Sequence, residues 1–403
     1  MIISKLRAEW SYIVGRFAAM ASRPVMLLAL KQWGGNDLAA TVAVVFLVAM
    51  LASAVSAFDT HRGFYQAYFG EHRHRGMEIA YRQYCGATIL QLIAVSPLLF
   101  GFIIYRFGDP MLGMLVAAYF ASERLADEAQ RFLIFKGKRQ EWGWRILTKA
   151  LLQMAGASVS TVLLGPNAVH AVLGILLAGN LAAYSTKLPW RYLPAEWQAW
   201  KAGATACLNQ RLFWLLSMIT TCISYLDRIV VMLFQQSDLA VYTILVSSIS
   251  IVQNAVEYFF MSLRRREILQ GRLSLSGVFL DGYFCMIVGI AAVVGSAASW
   301  VMLWFYHGNQ IDHLKLVPIV LLSQVTLSVS LVLREIIYWN HSVARLAWLE
   351  GGVIFCTVTT AVVMHSTSMG YEIVLGMLSI FSTLRMGLLI WGIARAQNRI
   401  LMT

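Results

Sequence analysis

The stretch WSYIVGRFAAMASRPVMLLAL, residues 10–30, decides how this chain reads. At about 1.5 Å of rise per residue, its length matches the roughly 30 Å hydrocarbon core of a bilayer. It contains no acid and only two charges, Arg16 and Arg23. A cleavable signal needs a short uninterrupted apolar core followed by small residues. Here the two arginines interrupt the run, which continues to Leu30, so a permanent spanning helix is expected.

The pattern repeats along the chain. Further apolar runs fall at 38–58, 84–105, 111–135, 146–164, 169–188, 212–234, 239–263, 278–306, 316–339, 346–364 and 373–393, giving twelve in all. Hydrophobic residues make up 59% of 403 and charged residues 13%, against about 25% charged in a soluble domain. The runs are continuous, whereas strands of a membrane barrel alternate over about 10 residues. An all-α polytopic membrane protein of about twelve spans is expected, because lipid leaves the backbone few other ways to satisfy its hydrogen bonds.

Charge distribution sets the expected orientation. With the N-terminus inside, the termini and even-numbered connections hold 21 Lys and Arg, and the odd-numbered connections hold Lys31, Arg106 and Lys315. This asymmetry places both termini in the cytoplasm. It also accounts for the net charge of +12 without a nucleic-acid partner. The cluster His61, Arg62, His72, Arg73, His74, Arg75 then reads as an anchor on anionic membrane lipid. Trp10, Trp33, Trp142, Trp144, Trp300, Trp304, Trp339 and Trp391 lie near span ends and read as an interfacial belt. The five cysteines have no metal or redox spacing, and read as small buried side chains.

Two halves are expected. Trp190, Leu193, Trp197 and Trp200 share one helical face in the longest central connection, which reads as a surface amphipathic helix. The division is 1–188 for the first lobe, 189–207 for the linker and 208–403 for the second lobe. Asn36-Asp37-Leu38-Ala39 opens the second run and Ser237-Asp238-Leu239-Ala240 the eighth, 201 residues apart. Both open on the same side, so the halves form a parallel repeat. Asp before an apolar run is also an ordinary helix N-cap.

No Walker sequence, nucleophile elbow or His-Glu metal spacing occurs. The chain is therefore not expected to be an enzyme, and no cofactor is implied. The informative residues are charges inside spans, which face protein or water rather than lipid. Arg16 and Arg23 stand two turns apart on one face. Pro24 frees a backbone carbonyl and can kink the first helix. Two cations without a carboxylate in their own helix suit an anionic ligand; pairing with acids of other spans, or snorkelling of Arg16, is the structural alternative. In the fourth span Arg124 with Glu128, and Asp127 with Arg131, have i,i+4 spacing. Adjacent Asp227 and Arg228 point about 100° apart, so separate partners are expected. Ser247, Ser250, Asn254 and Glu257 share one face of the eighth span. Gln324, Arg334, Glu335, Glu350 and Arg385 complete the set. Substrate contacts are expected at Arg16, Arg23, Arg124, Asp227, Arg228 and Asn254. Ion coupling is expected at Asp127, Glu128 and Glu257. No metal site is expected.

Two six-helix halves, a surface helix between them and paired first-span arginines resemble the multidrug/oligosaccharidyl-lipid/polysaccharide exporter superfamily. The stretches Tyr225-Leu226-Asp227-Arg228-Ile229-Val230-Val231 and Asp238-Leu239-Ala240-Val241-Tyr242 resemble its polysaccharide-transporter branch, as does the run from Glu123-Arg124-Leu125-Ala126 to Lys136. That resemblance implies a cargo: an undecaprenyl-diphosphate-linked oligosaccharide moved from the cytoplasmic to the periplasmic leaflet of a bacterial inner membrane. It also implies polysaccharide polymerase and chain-length proteins as partners. A drug or cation antiporter of the same superfamily is the alternative, followed by a polytopic glycosyltransferase or polymerase.

Overall fold

The computed structural model describes residues 2–56, 77–135, 138–187, 211–261, 282–307, 312–340, 343–366 and 370–401, with isolated positions between 200 and 208 and at 278. All regular structure among them is helical. The basic cluster 61–75 and most of the linker 189–207 lie outside the described residues.

The helices are α1 (Ile2–Gly34), α2 (Asn36–Ser56), α3 (Met77–Phe107), α4 (Pro110–Phe135), α5 (Arg139–Leu164), α6 (Val169–Tyr184), α7 (Arg211–Phe234), α8 (Leu239–Ile249), α9 (Gly282–His307), α10 (Val317–Asn340), α11 (Val343–Ser366) and α12 (Tyr371–Leu401). Among the described residues, eight stretches are long and apolar enough to cross a membrane, one of them, Gln140–Tyr184, taking in both α5 and α6. The chain is thus an all-α, multi-pass membrane protein. It divides into two compact units, Met1–Thr221 and Cys222–Thr403, with the boundary inside α7.

Local chemistry fixes the turns. Gly108 ends α3 at φ 69°, with its N–H bonded to the Ile104 carbonyl at 2.8 Å. Only glycine takes that conformation without strain. Asp109 then caps α4, its Oδ1 accepting from the Leu112 N–H at 3.0 Å, with Pro110 at the first helical position, where no N–H is missed.

In the first unit α1 lies along α5. Gly15 and Gly143 face each other so closely that a Cβ on either would overlap the opposing backbone. Further along the pair, Gly34 meets the Thr161 side chain. The two contacts have the same register, so the helices run parallel and touch on both sides of Pro24. Small residues allow this approach, and in lipid close packing of this kind holds helices together.

Three sequence expectations need correction. The eighth span is not one continuous α-helix. It breaks at Ser250 after α8, resumes as Ile251–Ala255, and passes into a π-helical turn, Val256–Met261. Side chains bond the backbone at the break: Ser250 Oγ donates to the Ser247 carbonyl and Asn254 Nδ2 to the Ser250 carbonyl, the local competition typical of Ser and Asn. Trp142 is not at an interface but fully buried, while Trp10, Trp33, Trp144, Trp300, Trp304 and Trp391 are exposed. Cys285 and Cys356 are exposed rather than buried. On the outer face of a spanning helix the solvent is lipid, which accepts a small apolar thiol as readily as a core does.

Candidate functional site: charges inside the first unit

Arg16 packs against aromatic faces. Its guanidinium carbon lies 4.2 Å from the Trp142 ring centroid and 6.0 Å from that of Tyr12. Tyr12 and Trp142 rest on each other at 4.5 Å, and the Trp142 indole N–H donates to Gln130 Oε1 at 3.3 Å. The aromatic faces attract the cation and orient its planar fork.

Arg23, two turns further along, lies 5.6 Å from the Phe46 ring centroid, with Nη1 2.9 Å from the Met50 sulfur. Phe46 in turn neighbours Tyr119 at 6.3 Å. Tyr119 donates to Glu123 Oε1 at 2.9 Å, and Lys149 reaches Glu123 Oε2 at 2.5 Å. Arg23 acts electrostatically on both Glu123 and Tyr119. Arg16, Asp127, Glu123 and Arg145 all act on the Tyr184 hydroxyl. Side chains from α1, α2, α4, α5 and α6 therefore share one electrostatic neighbourhood near the middle of α4. Among the described residues it includes the cations Arg16, Arg23 and Lys149, the acids Glu123 and Asp127, and Arg145, which is paired with Glu141. Lys149 has no sequence signal beyond being a lysine inside an apolar run.

Arg124 and Glu128 form the i,i+4 pair at 2.9 Å, but at 1% and 5% side-chain exposure they are sealed into the helix packing. The guanidinium uses Nη1 for this contact, and its Nε and Nη2 have no hydrogen-bond partner among the described residues. The Arg131 side chain lies outside the described residues. A buried polar chain ties α4 to α5 and α6: Gln153 donates to the Leu176 carbonyl and to Asn180, and Asn180 to Ser122. Together with Arg145, which bonds the Ala183 carbonyl and Glu141, it anchors the helices that carry the charges.

The second unit places its charges differently. Asp227 is buried, accepting from the Tyr242 hydroxyl at 3.1 Å and from the Arg228 N–H at 2.8 Å. Arg228 lies over the Tyr225 ring at 4.7 Å. The adjacent pair thus takes separate partners. Asp238 makes no side-chain cap for α8; its Oδ2 instead accepts from the Tyr371 hydroxyl at 3.0 Å. Asn254 is committed to the break in α8, and Glu257 stands exposed at the start of the π-turn. Glu350 and Arg385 meet through two bonds of 2.6 Å.

No family model and no curated protein matches this sequence. Solved structures do. A MOP-superfamily transporter from Pyrococcus furiosus aligns over 97% of this chain and 94% of its own, with TM-score 0.53 and 11% identity. Its structure is described as having a binding pocket of reversed polarity that suggests a different function. The inward-facing conformation of a multidrug-resistance MATE-family transporter of the same superfamily aligns over 98% and 96%, with TM-score 0.50 and 11% identity. At that identity the likeness is one of fold: this chain folds as the MOP-superfamily transporters do.

Proposed function

We propose that this chain is a transporter, and specifically a flippase. Its cargo is a polyprenyl-diphosphate-linked oligosaccharide, moved from the cytoplasmic to the periplasmic leaflet of a bacterial inner membrane by alternating access. The observation that carries the reading is the convergence of Arg16, Arg23 and Lys149 in one partly open neighbourhood of the first unit. Guanidinium forks bind phosphate oxygens in pairs, and an ammonium adds a mobile point charge. Trp142 and Tyr12 beneath Arg16 hold its fork in place, which lowers the entropy lost on binding.

Arg16 and Arg23 lie about 10 Å apart along α1 at 1.5 Å per residue, so a diphosphate passes from one to the other within the bilayer. Because α1 packs on α5 on both sides of Pro24, the two helices move together during that passage. For energy coupling, Glu128 is sealed against Arg124, whereas Asp127 acts on the Tyr184 hydroxyl within the neighbourhood and Glu257 is exposed, so these two are the acids assigned to it.

Proteoliposomes loaded with a fluorescent undecaprenyl-diphosphate oligosaccharide test this. Wild-type protein moves the lipid to the leaflet where a membrane-impermeant quencher reaches it. The Arg16→Ala/Arg23→Ala double variant is expected to lose at least about tenfold in rate, since each charged hydrogen bond contributes about 1.5–3 kcal/mol. Lysine at both positions keeps charge without the fork and falls between. Full activity in the alanine variant overturns the reading. The alternative, drug efflux, draws on Glu123 and Asp127 as cation-binding acids; proton-driven ethidium export without lipid movement selects it.

A further inference from the structure

Resting on the diphosphate reading, we infer that Lys149 is a third phosphate-binding cation and that Glu123 is its resident competitor, a carboxylate that occupies the site until the cargo displaces it. The geometry around Glu123 is that of a bound anion. Its two oxygens are divided between the Lys149 ammonium at 2.5 Å and the Tyr119 hydroxyl at 2.9 Å. Arg23 acts on the same carboxylate from α1. An ammonium and a hydroxyl donating to one pair of oxygens, with the positive charge of a guanidinium acting on them, make a setting that holds an anion.

Comparison with other carboxylate pairs described within the spans singles this one out for exchange; Arg334–Glu335, exposed to 13% and 15%, joins sequence neighbours at 3.8 Å, too far for a hydrogen bond. Arg124–Glu128 has 1% and 5% side-chain exposure and Arg385–Glu350 has 2% and 0%, so neither is reached without opening the packing. Lys149–Glu123 has 13% and 20%. It is also held by an ammonium rather than a guanidinium, and an ammonium on a flexible stem turns readily to a new partner. A lysine kept neutralised by its own protein lies at mid-helix without an unpaired buried charge, and becomes available when a stronger anion arrives. Tyr119, one turn away on the same helix, stays with Glu123 as donor, so the phosphate takes over the Lys149 ammonium and no carboxylate is stranded. The same competitor returns to Lys149 as the cargo leaves, which speeds release.

Equilibrium binding to purified protein in nanodiscs tests this with two probes, undecaprenyl diphosphate and inorganic pyrophosphate. Glu123→Gln is expected to tighten undecaprenyl diphosphate by about tenfold, and Lys149→Ala to weaken it by about tenfold, the scale of one charge-assisted hydrogen bond. The tightened Glu123→Gln protein should turn over more slowly in the flipping assay, because release has lost its competitor. Tightening of pyrophosphate in parallel assigns the effect to the diphosphate; tightening of the lipid alone still supports the inference and adds a demand for the polyprenyl chain. Should Glu123→Gln not be recovered folded, Lys149→Ala alone decides. If wild-type protein binds neither probe, the diphosphate reading itself falls. If wild-type binds but Glu123→Gln leaves affinity unchanged or weaker, or Lys149→Ala binds as wild type does, only the competitor inference falls.

Discussion

Glu350 and Glu123 are both carboxylates that meet a basic side chain deep within a helix bundle, and they are closed off to very different degrees. In the second unit Arg385 grips Glu350 through Nε and Nη2, two bonds of 2.6 Å, with both side chains removed from solvent. In the first unit Lys149 touches Glu123 through one nitrogen, with part of both side chains accessible. A bidentate sealed pair joins α11 to α12 as structure. A single-contact open pair can be remade with another anion. Charge inside a membrane protein therefore does not by itself mark a binding site; closure separates a structural pair from a usable one.

The sharpest way to break this comparison is to remove one partner of the sealed pair. Glu350→Ala leaves Arg385 buried without its carboxylate, and the loss of such a partner costs about 3–5 kcal/mol. Thermal unfolding in detergent, followed by intrinsic fluorescence, should show a large drop in midpoint and low membrane abundance. Replacing both residues together, Glu350→Leu with Arg385→Met, should recover most of the loss, because well-packed apolar residues often match a buried ion pair. An unchanged midpoint in Glu350→Ala would show that the pair is not structural.

Next in size is the scaffold that carries the open pair. Gly15→Leu forces α1 away from the Gly143 backbone and should cost about 3 kcal/mol, the upper end for overpacking. The same separation moves Arg16 off Trp142 and Arg23 away from Glu123, so binding of undecaprenyl diphosphate should fall even in protein that remains folded. Gly101→Leu, at a position with open space around it, serves as control and should change neither. Glu123→Gln, by contrast, keeps an acceptor for Tyr119 and should cost no more than about 1.5–3 kcal/mol, the scale of one charged hydrogen bond. If its midpoint falls as far as that of Glu350→Ala, the two pairs are alike and the distinction fails.

How much of this was legible in the sequence follows the same division between local and long-range contacts. The spans at 10–30 and 38–58 became α1 and α2 because an apolar run in lipid has a helix as its ready backbone solution. The Arg124–Glu128 pair was legible because i,i+4 spacing fixes proximity within one helix. Glu350 and Arg385 are 35 residues apart on different helices, and nothing in their spacing announces the pairing. Lys149 was hidden for a related reason: its partner Glu123 is 26 residues away, and neither belongs to a motif. Trp142 was misread because a tryptophan near a span end usually faces the interface, whereas here the Gly15–Gly143 approach draws it under Arg16. Asp238 looked like a cap, but Tyr371, 133 residues on, takes its carboxylate.

The smallest expected effect tests the comparison at a pair that is more open still. Asp109 and His170 meet at 2.8 Å in the turn region between helices, with side chains roughly a third exposed. The Leu112 N–H, and after it His170, hold the Asp109 carboxyl below its ordinary value of 3.8. A carboxyl lowered on folding stabilises the native state at pH values above its unfolded pKa, and that contribution is lost as pH falls through the lower folded value. Asp109→Asn should therefore unfold at a slightly lower temperature than wild type at pH 7, and the difference should shrink below pH 3.8 until the two coincide. Solvent screens so exposed a pair, so the shift should be small and should diminish with added salt. Asparagine still caps helices well, so most of what is lost is charge rather than the hydrogen bond to Leu112. A difference that persists unchanged into acid would mean that Asp109 acts through its shape as a cap and not through its charge. The ordering of pairs by closure would then end at Lys149–Glu123.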